Sequence, residues 1–335
     1  MLRVVHLVDD TMPGDLTRYL DFLVSDPGMR RIGRHGIVVT PRHRLAGQPI
    51  DADIIVSHLT ITWRGLPGLM SLRARHPGVP LFHMEHSYGE GFAEANGTTG
   101  TRLHAMLRCA YSLFDRIVAV STTQGRWLVQ RGLVADDALA VIPPCVELAP
   151  FRALPVPVGP IRTIGALGCL HRQSGLDLLI AAFRPLPDPD LRLRVMGDGP
   201  DRPALESLAQ GDSRVSFTGA SEDRVSALRA VDAVAIPSRW TACDLAAIEA
   251  RAAGRTVLAS RIAGLCGQAD RGAILVGNSV ADWTAALERL VADGPEVIPA
   301  RPMDEAVTRK GWLDLLCPTP VTTITHALHG MRLAG

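Results

Sequence analysis

The chain is almost without lysine. Lys310 stands alone among 335 residues, and the other positive side chains are arginine. Any site that needs a cation must therefore use arginine, histidine or backbone N–H groups at a helix start. Net charge is lacking too: 35 Lys+Arg face 34 Asp+Glu, a balance of +1. That excludes the global positive field of a nucleic-acid coat protein. With hydrophobic residues at 47%, it also excludes a disordered tail. No apolar run approaches the roughly 18 residues of a membrane span. The opening MLRVVHLVDD ends in two aspartates and reads as a first strand, not a signal peptide. A cytoplasmic chain is the expectation. The cysteines, Cys109, Cys145, Cys169, Cys243, Cys266 and Cys317, contain no C-x-x-C pair, so reduced thiols are expected.

What is present is alternation. Short apolar runs at Leu2–Val8, Gly36–Thr40, Ile54–Ser57, Val79–His83, Arg116–Ser121 and Ala138–Ile142 read as strands. Helical spacing separates them, as at Leu16, Tyr19, Leu20 and Leu23. A polar, Gly-rich stretch covers Glu85–Gly100. Six prolines between Pro143 and Pro160 mark a linker. Strands are then expected at Arg162–Leu167, Leu191–Met196, Val215–Thr218, Ala233–Ile236 and Thr256–Ala259, with helices between. At about 100–200 residues per domain the length suggests two domains. The alternation makes each a doubly wound α/β unit with a parallel sheet. We place them at 1–150 and 151–318, with a C-terminal helix over 319–335 that packs back on the first domain.

Ligands of such sheets bind beyond the carboxyl ends of the strands. After the first strand of the second half comes Gly165-Ala-Leu-Gly168, whose glycines admit a close backbone approach, and a helix starts near Gly175. After Ile236 comes a loop, then Asp244 as a helix N-cap, then Glu249 in an otherwise apolar helical stretch. A carboxylate there is costly unless it is paired or bound. Periodicity alone leaves a solvated face, an ion pair or a ligand contact open.

Pro237-Ser238, Glu249-Ala250, Ala253-Gly254, Val257 and Gly264-Leu265 resemble the donor-site segment of retaining glycosyltransferases of family 4. Ala119-Val-Ser121, Val141-Ile-Pro-Pro144, Gly168 through Phe183 and Val195-Met-Gly-Asp-Gly-Pro200 agree in order and spacing. The resemblance implies the GT-B fold, two Rossmann-like domains facing across a cleft. It also implies a nucleoside-diphosphate-sugar as co-substrate, with no metal and no further cofactor.

Residue by residue, the resemblance places Glu249 on the ribose hydroxyls, where a carboxylate can accept from both members of a diol. The first glutamate of the family's pair falls on Thr241 and is absent. Asp244, followed by Leu245, stands where the family has glycine; it either replaces the sugar-binding carboxylate or caps the helix. The phosphate-binding arginine and lysine fall on Cys169 and Ser174. His171, Arg172, Arg239 and Arg261 are candidates to replace their charge. His86, in Met84-Glu-His-Ser-Tyr88, matches the histidine beside the reacting sugar. Gly14-Asp15 matches the glycine-rich first loop. Glu85, Tyr88, Glu90 and Glu94 are candidate acceptor contacts, or part of a surface loop. The partners implied are a nucleotide-sugar and a saccharide or lipid-linked acceptor. Arg30, Arg31, Arg34, Arg42 and Arg44 form a local basic region that reads first as an ordinary solvated surface of an arginine-rich chain and would also suit peripheral contact with an anionic membrane.

Two other readings stay open. Cys169, Ser174 and Thr241 suit a catalytically degenerate partner subunit that keeps the fold. A sugar-nucleotide epimerase shares the architecture but needs a carboxylate pair. Cys145, Cys169, Cys243 and Cys266 each follow a strand; a zinc cluster with His171 or His86 lacks any ligand-spacing signature.

Overall fold

A computed structural model of the chain describes residues 1–9, 14–40, 50–97, 101–219, 223–267, 269, 272–295 and 304–317. The first six strands are β1 (Arg3–Val8), β2 (Arg34–Val39), β3 (Ile54–Ser57), β4 (Leu81–Glu85), β5 (Arg116–Ala119) and β6 (Leu139–Val141). They form one parallel sheet in the order β2-β1-β3-β4-β5-β6. Its helices are α1 (Asp15–Ser25), α2 (Pro27–Ile32), α3 (Leu66–Arg75), α4 (Glu90–Ala95), α5 (Thr101–Tyr111) and α6 (Thr122–Gln130). A one-turn helix, α7 (Ala149–Arg152), interrupts the Pro-rich linker.

The second sheet holds β7 (Thr163–Leu167), β8 (Arg192–Met196), β9 (Val215–Phe217), β10 (Ala233–Ile236), β11 (Thr256–Ser260) and β12 (Ile274–Val276). All are parallel, in the order β12-β11-β10-β7-β8-β9. Helices α8 (Leu176–Phe183), α9 (Arg202–Ala209), α10 (Arg224–Arg229), α11 (Leu245–Ala252), α12 (Ala263–Cys266) and α13 (Val280–Asp293) belong to it. Strands such as β3 (IIVS) and β10 (AVAI) are buried at every residue, as a sheet covered on both faces requires.

The strand order reverses between β7 and β10 in the second sheet, and between β1 and β3 in the first. Crevices open at such switch points. They lie beyond Leu167 and Ile236 on one side, and beyond Val8 and Ser57 on the other.

One apolar core runs through both sheets. It joins Val4, Val56 and Met84 to Ile236, Leu245 and Val257 by way of the linker residues Cys145, Val146, Leu148 and Phe151. The chain then returns. Helix α14 (Asp304–Leu316) packs on the first domain: Trp312 Nε1 donates to Tyr19 Oη at 2.8 Å, and Arg309 grips Asp26 through two hydrogen bonds at 2.8 and 2.6 Å. Glu305 of the same helix accepts from Arg152 and from the backbone N–H of Leu148, pinning the linker. The helix expected over 319–335, Arg42 and Arg44 lie outside the described residues.

Alternation located most elements, but not the short ones. Helix α4 forms within the stretch read as polar loop, because Ala93 turns into the core and Phe92 packs against it. Six residues are too few to display a period. Strand β4 begins two residues later than expected, since Asp115 captures the N–H of Leu81 and starts the ladder there.

Candidate active site

Three groups of residues meet in the cleft. The first is built by the loops after β7 and β10. Gly175 has φ +65°, and a Cβ there would lie 2.0 Å from the carbonyl oxygen of Pro237. Gly197 is equally constrained: a Cβ would stand 1.7 Å from the Gly168 oxygen. These glycines let the loops after β7, β8 and β10 touch backbone to backbone. Ser174 Oγ donates to the Cys169 carbonyl, and Arg239 N–H donates to the Gln173 carbonyl at 2.8 Å.

Arg239, a candidate phosphate cation, instead holds Asp177 through two hydrogen bonds at 2.8 and 2.6 Å and donates to the Arg172 carbonyl at 2.7 Å. The guanidinium keeps the Asp177 carboxyl below its ordinary range. Arg261 donates to the Leu275 carbonyl. His171 is half-buried and Arg172 exposed, and neither side chain has a hydrogen-bond partner among the described residues. Lys310 sits on α14 in an exposed pair with Asp314, remote from these loops.

The second group centres on Glu249, which is wholly buried in α11. Arg18, from α1 of the other domain, donates to its Oε1; Arg224, at the start of α10, donates Nε to its Oε2 at 3.2 Å, with Nη2 3.1 Å away in the same ion pair. Arg18 also holds Asp15 at 2.7 Å. Burial, then the charge of Arg18, lowers Arg224 to about 10, so it stays cationic at neutral pH. Each Glu249 oxygen has two lone-pair directions. Arg18 occupies Oε1 and Arg224 Oε2, and the carboxylate has no exposed surface, so a ribose diol reaches it only by displacing one of the two arginines. Sequence reading missed Arg18 and Arg224. Arg18 is one turn beyond Asp15, a weak signal that the glycine loop and α1 act together.

Asp15 and Asp244 both meet the N-terminus of α11. Asp244 caps it, accepting from Ala246 N–H at 2.9 Å, and Asp15 lies 3.5 Å from Leu245 N. Burial and the negative charge of Asp15 push the Asp244 carboxyl up to about 6 from its ordinary 3.8. The folded chain therefore holds a proton there that the unfolded chain has lost. Stability from this group is full below the ordinary carboxylate range and is lost as pH rises through about 6. Asp244→Asn keeps a good cap residue. We expect it to raise unfolding stability at pH 7.5 by about 1–3 kcal/mol. We expect it also to flatten the dependence between pH 4 and 6, as measured by urea denaturation; an unchanged pH profile would contradict this.

The third group surrounds His86. Gln124 props its loop, donating to the carbonyls of Glu85 and Tyr88 at 3.1 and 2.7 Å. His86 Nε2 meets His58 Nδ1 at 2.9 Å, and its ring lies edge-on to Tyr19 at 6.4 Å between centroids. Burial lowers His86 to about 4, so the imidazole is neutral at pH 7.

The expected acceptor residues divide. Glu85 is inside the packing: Tyr111 Oη, His83 Nε2 and the N–H groups of Ser87 and Tyr88 take its oxygens. Burial pushes its carboxyl up, but the His83 contact and the backbone donors outweigh that and hold it below the ordinary range. Tyr88 is buried and donates to the Ile61 carbonyl at 2.6 Å. Neither side chain is free for an acceptor, because each is consumed in fixing the His86 loop. Glu90 is different. It lines an interdomain pocket with Gly91 and Phe92, facing Trp240, Thr241 and Gly264 across the cleft. The pocket brings together Glu90, expected on the acceptor side, and Thr241, expected on the donor side; Trp240 was not foreseen. Cys145 is buried, with burial pushing its thiol up to about 12, whereas Cys169 and Cys266 are exposed. Among the described residues, no three His, Cys, Asp or Glu side chains are grouped to hold a metal ion.

Comparison with known proteins identifies the family and the fold. Residues 5–149 match the family described as Glycosyltransferase Family 4, and residues 161–293 match Glycosyl transferases group 1. A D-inositol 3-phosphate glycosyltransferase of Saccharomonospora viridis is 30% identical over 301 residues, covering 79% of this chain and 68% of the relative. One from Mycobacterium sp. (strain JLS) is 28% identical, covering 78% and 64%. Sucrose-phosphate synthase from Thermosynechococcus elongatus shares the fold at TM-score 0.70, 18% identity and 94% coverage of both chains. The Anabaena protein HepE in complex with UDP does so at TM-score 0.67, 15% identity and 94% coverage of both. The two facing parallel sheets are those of the GT-B fold, and the chain belongs to glycosyltransferase family 4.

Proposed function

We infer that the chain transfers a sugar, with retention of configuration, from a nucleoside-diphosphate-sugar to a saccharide or lipid-linked acceptor. The carrying observation is Glu249, a carboxylate between the two domains held by one arginine from each, which a vicinal diol would contact by displacing one of them. The nucleotide-sugar is the co-substrate in this reading, and no other cofactor is invoked. Backbone at Gly168 and Cys169, with His171 and Arg172, would meet the diphosphate as it gains charge in the transition state. His86 would sit at the transferred sugar and Glu90 at the acceptor. Relatives act on D-inositol 3-phosphate, and a fold neighbour binds UDP, by their names. A phosphorylated polyol acceptor and a uridine donor are therefore the first to try.

No helix among the described residues is long and apolar enough to cross a membrane. In this reading the chain works in the cytoplasm, and exposed Arg30, Arg31 and Arg34 would meet anionic headgroups if the acceptor is lipid-linked.

A degenerate partner subunit is the second reading. It is favoured by the engagement of Arg239 with Asp177, which removes one cation from the phosphate side. The test is to titrate UDP, GDP and their sugars by calorimetry, then assay transfer and read the product's anomeric configuration by NMR. Retained configuration supports the transferase. Weak or absent nucleotide binding with no turnover supports the degenerate subunit and rejects the transferase.

A further inference from the structure

Four histidines form one hydrogen-bonded row beneath the cleft. His35 Nδ1 meets His6 Nε2 at 2.9 Å, His6 Nδ1 meets His58 Nε2 at 2.8 Å, and His58 Nδ1 meets His86 Nε2 at 2.9 Å. The sheet builds this row. Its order is β2-β1-β3-β4, and the histidines come from or just after those strands in that order. The register adds two residues per step. His35 pairs with Val4, two short of His6; His6 pairs with Val56, two short of His58. Ser57 pairs with His83, which puts His58 level with Met84, two short of His86. A stagger of two keeps side chains on one face. The row therefore climbs diagonally to the carboxyl edge, where the cleft lies.

Proton counting then leaves few options. A neutral imidazole carries one N–H and one lone pair. Four neutral rings hold four protons, three of them in the three N···N contacts. The fourth sits at one end, on His35 Nε2 or on His86 Nδ1. His35 Nε2 is buried without a partner among the described residues, beside Trp312. His86 is half-buried and its Nδ1 is unengaged among the described residues. A buried N–H without an acceptor is rarer than a buried acceptor left short. The proton therefore belongs at the cleft end.

We propose that His35, His6 and His58 are positioning residues: they polarise the row so that all four rings carry the proton on Nδ1 and His86 presents Nδ1–H to the transferred sugar as a fixed hydrogen-bond donor. The reverse polarity would present a lone pair. Burial lowers His6 and His58 well below the ordinary histidine range and His35 and His86 to about 4, which keeps the row neutral at pH 7. The sugar contact rests on the transferase reading above; the tautomer assignment does not.

The experiment is two-bond 1H–15N NMR of the 15N-histidine-labelled chain without ligand at pH 7.5, assigned by single His→Gln variants, together with transfer kinetics. The Nδ1–H pattern is expected at His6, His35, His58 and His86. An Nε2–H or charged pattern at His6, His58 or His86 overturns the proposal. His58→Phe removes the donor to His86 Nε2, so His86 should shift toward Nε2–H and kcat/KM should fall about tenfold, the worth of one hydrogen bond. His58→Gln, whose amide can both donate to His86 and accept from His6, should restore the Nδ1–H signal and most of the rate. A correct tautomer with a rate indifferent to His58→Phe overturns the sugar-facing role. Absence of turnover in the unmodified chain is failure of the transferase reading, and the NMR pattern then decides the row alone.

Discussion

Glu249→Ala should lose nucleotide binding and stability together. Binding should weaken about 100-fold or more, since two hydrogen bonds from the ribose to a charged acceptor are lost. Stability should fall by about 2–4 kcal/mol. Removing one partner of a fully buried ion pair costs about 3–5 kcal/mol because a charge is stranded. Here Arg18 and Arg224 keep 26% and 17% of their side-chain surface, so water offsets part of that cost. Arg18 retains Asp15, whereas Arg224 retains no other ion pair among the described residues. Calorimetry with UDP and urea denaturation measure the two effects. The double variant Arg18→Ala/Glu249→Ala should lose less stability than the sum of its parts, because one stranded charge has gone. A Glu249→Ala chain that binds nucleotide as before would remove the carboxylate from the donor site.

Trp312→Ala should be the most destabilising change away from the cleft. The ring is fully buried and packs edge-on against His6 and His35. A buried Trp→Ala costs about 3–5 kcal/mol. The Tyr19 hydroxyl, itself buried, would also lose its donor, worth about 1 kcal/mol. The loss matters beyond packing, because α14 belongs by sequence to the end of the chain and by contact to the first domain. Chemical denaturation followed by far-ultraviolet circular dichroism should show the midpoint falling with the slope retained. A midpoint unchanged from the parent would mean that α14 contributes nothing to the first domain.

Much of this was legible in advance because alternation is a local signal. Apolar runs of four to six residues mark strands, and glycine or proline marks their ends, so both sheets and the linker could be placed. The loops after β7 and β10 could be placed for the same reason: Gly168, Gly175, Thr241 and Glu249 lie within two contiguous segments. The scarcity of lysine was legible too, and it kept its meaning. Lys310 is spent on an exposed pair with Asp314, and the cations at the cleft are arginines.

What the sequence could not say is which arginines. Arg239 is adjacent to the donor motif, yet its charge is absorbed by Asp177. Arg18 is 231 positions from Glu249 and reaches it only because the domains face each other. Glu85 and Tyr88 looked like acceptor contacts because they are polar and follow a strand; only the packing of Tyr111, Gln124 and Ile61 around them shows that they are consumed in holding His86. The histidine row makes the same point. Residues 6, 35, 58 and 86 share no spacing that a sequence pattern would record. A parallel sheet with its strands out of chain order, and a stagger of two residues per step, converts them into one line. Alternation and motif order determined the two sheets and the loops that follow β7 and β10, because those signals are carried by neighbours in the chain. The partners of each charge were decided by the tertiary fold, because a buried ion or imidazole is satisfied by whatever the fold brings within 3 Å, regardless of distance along the sequence.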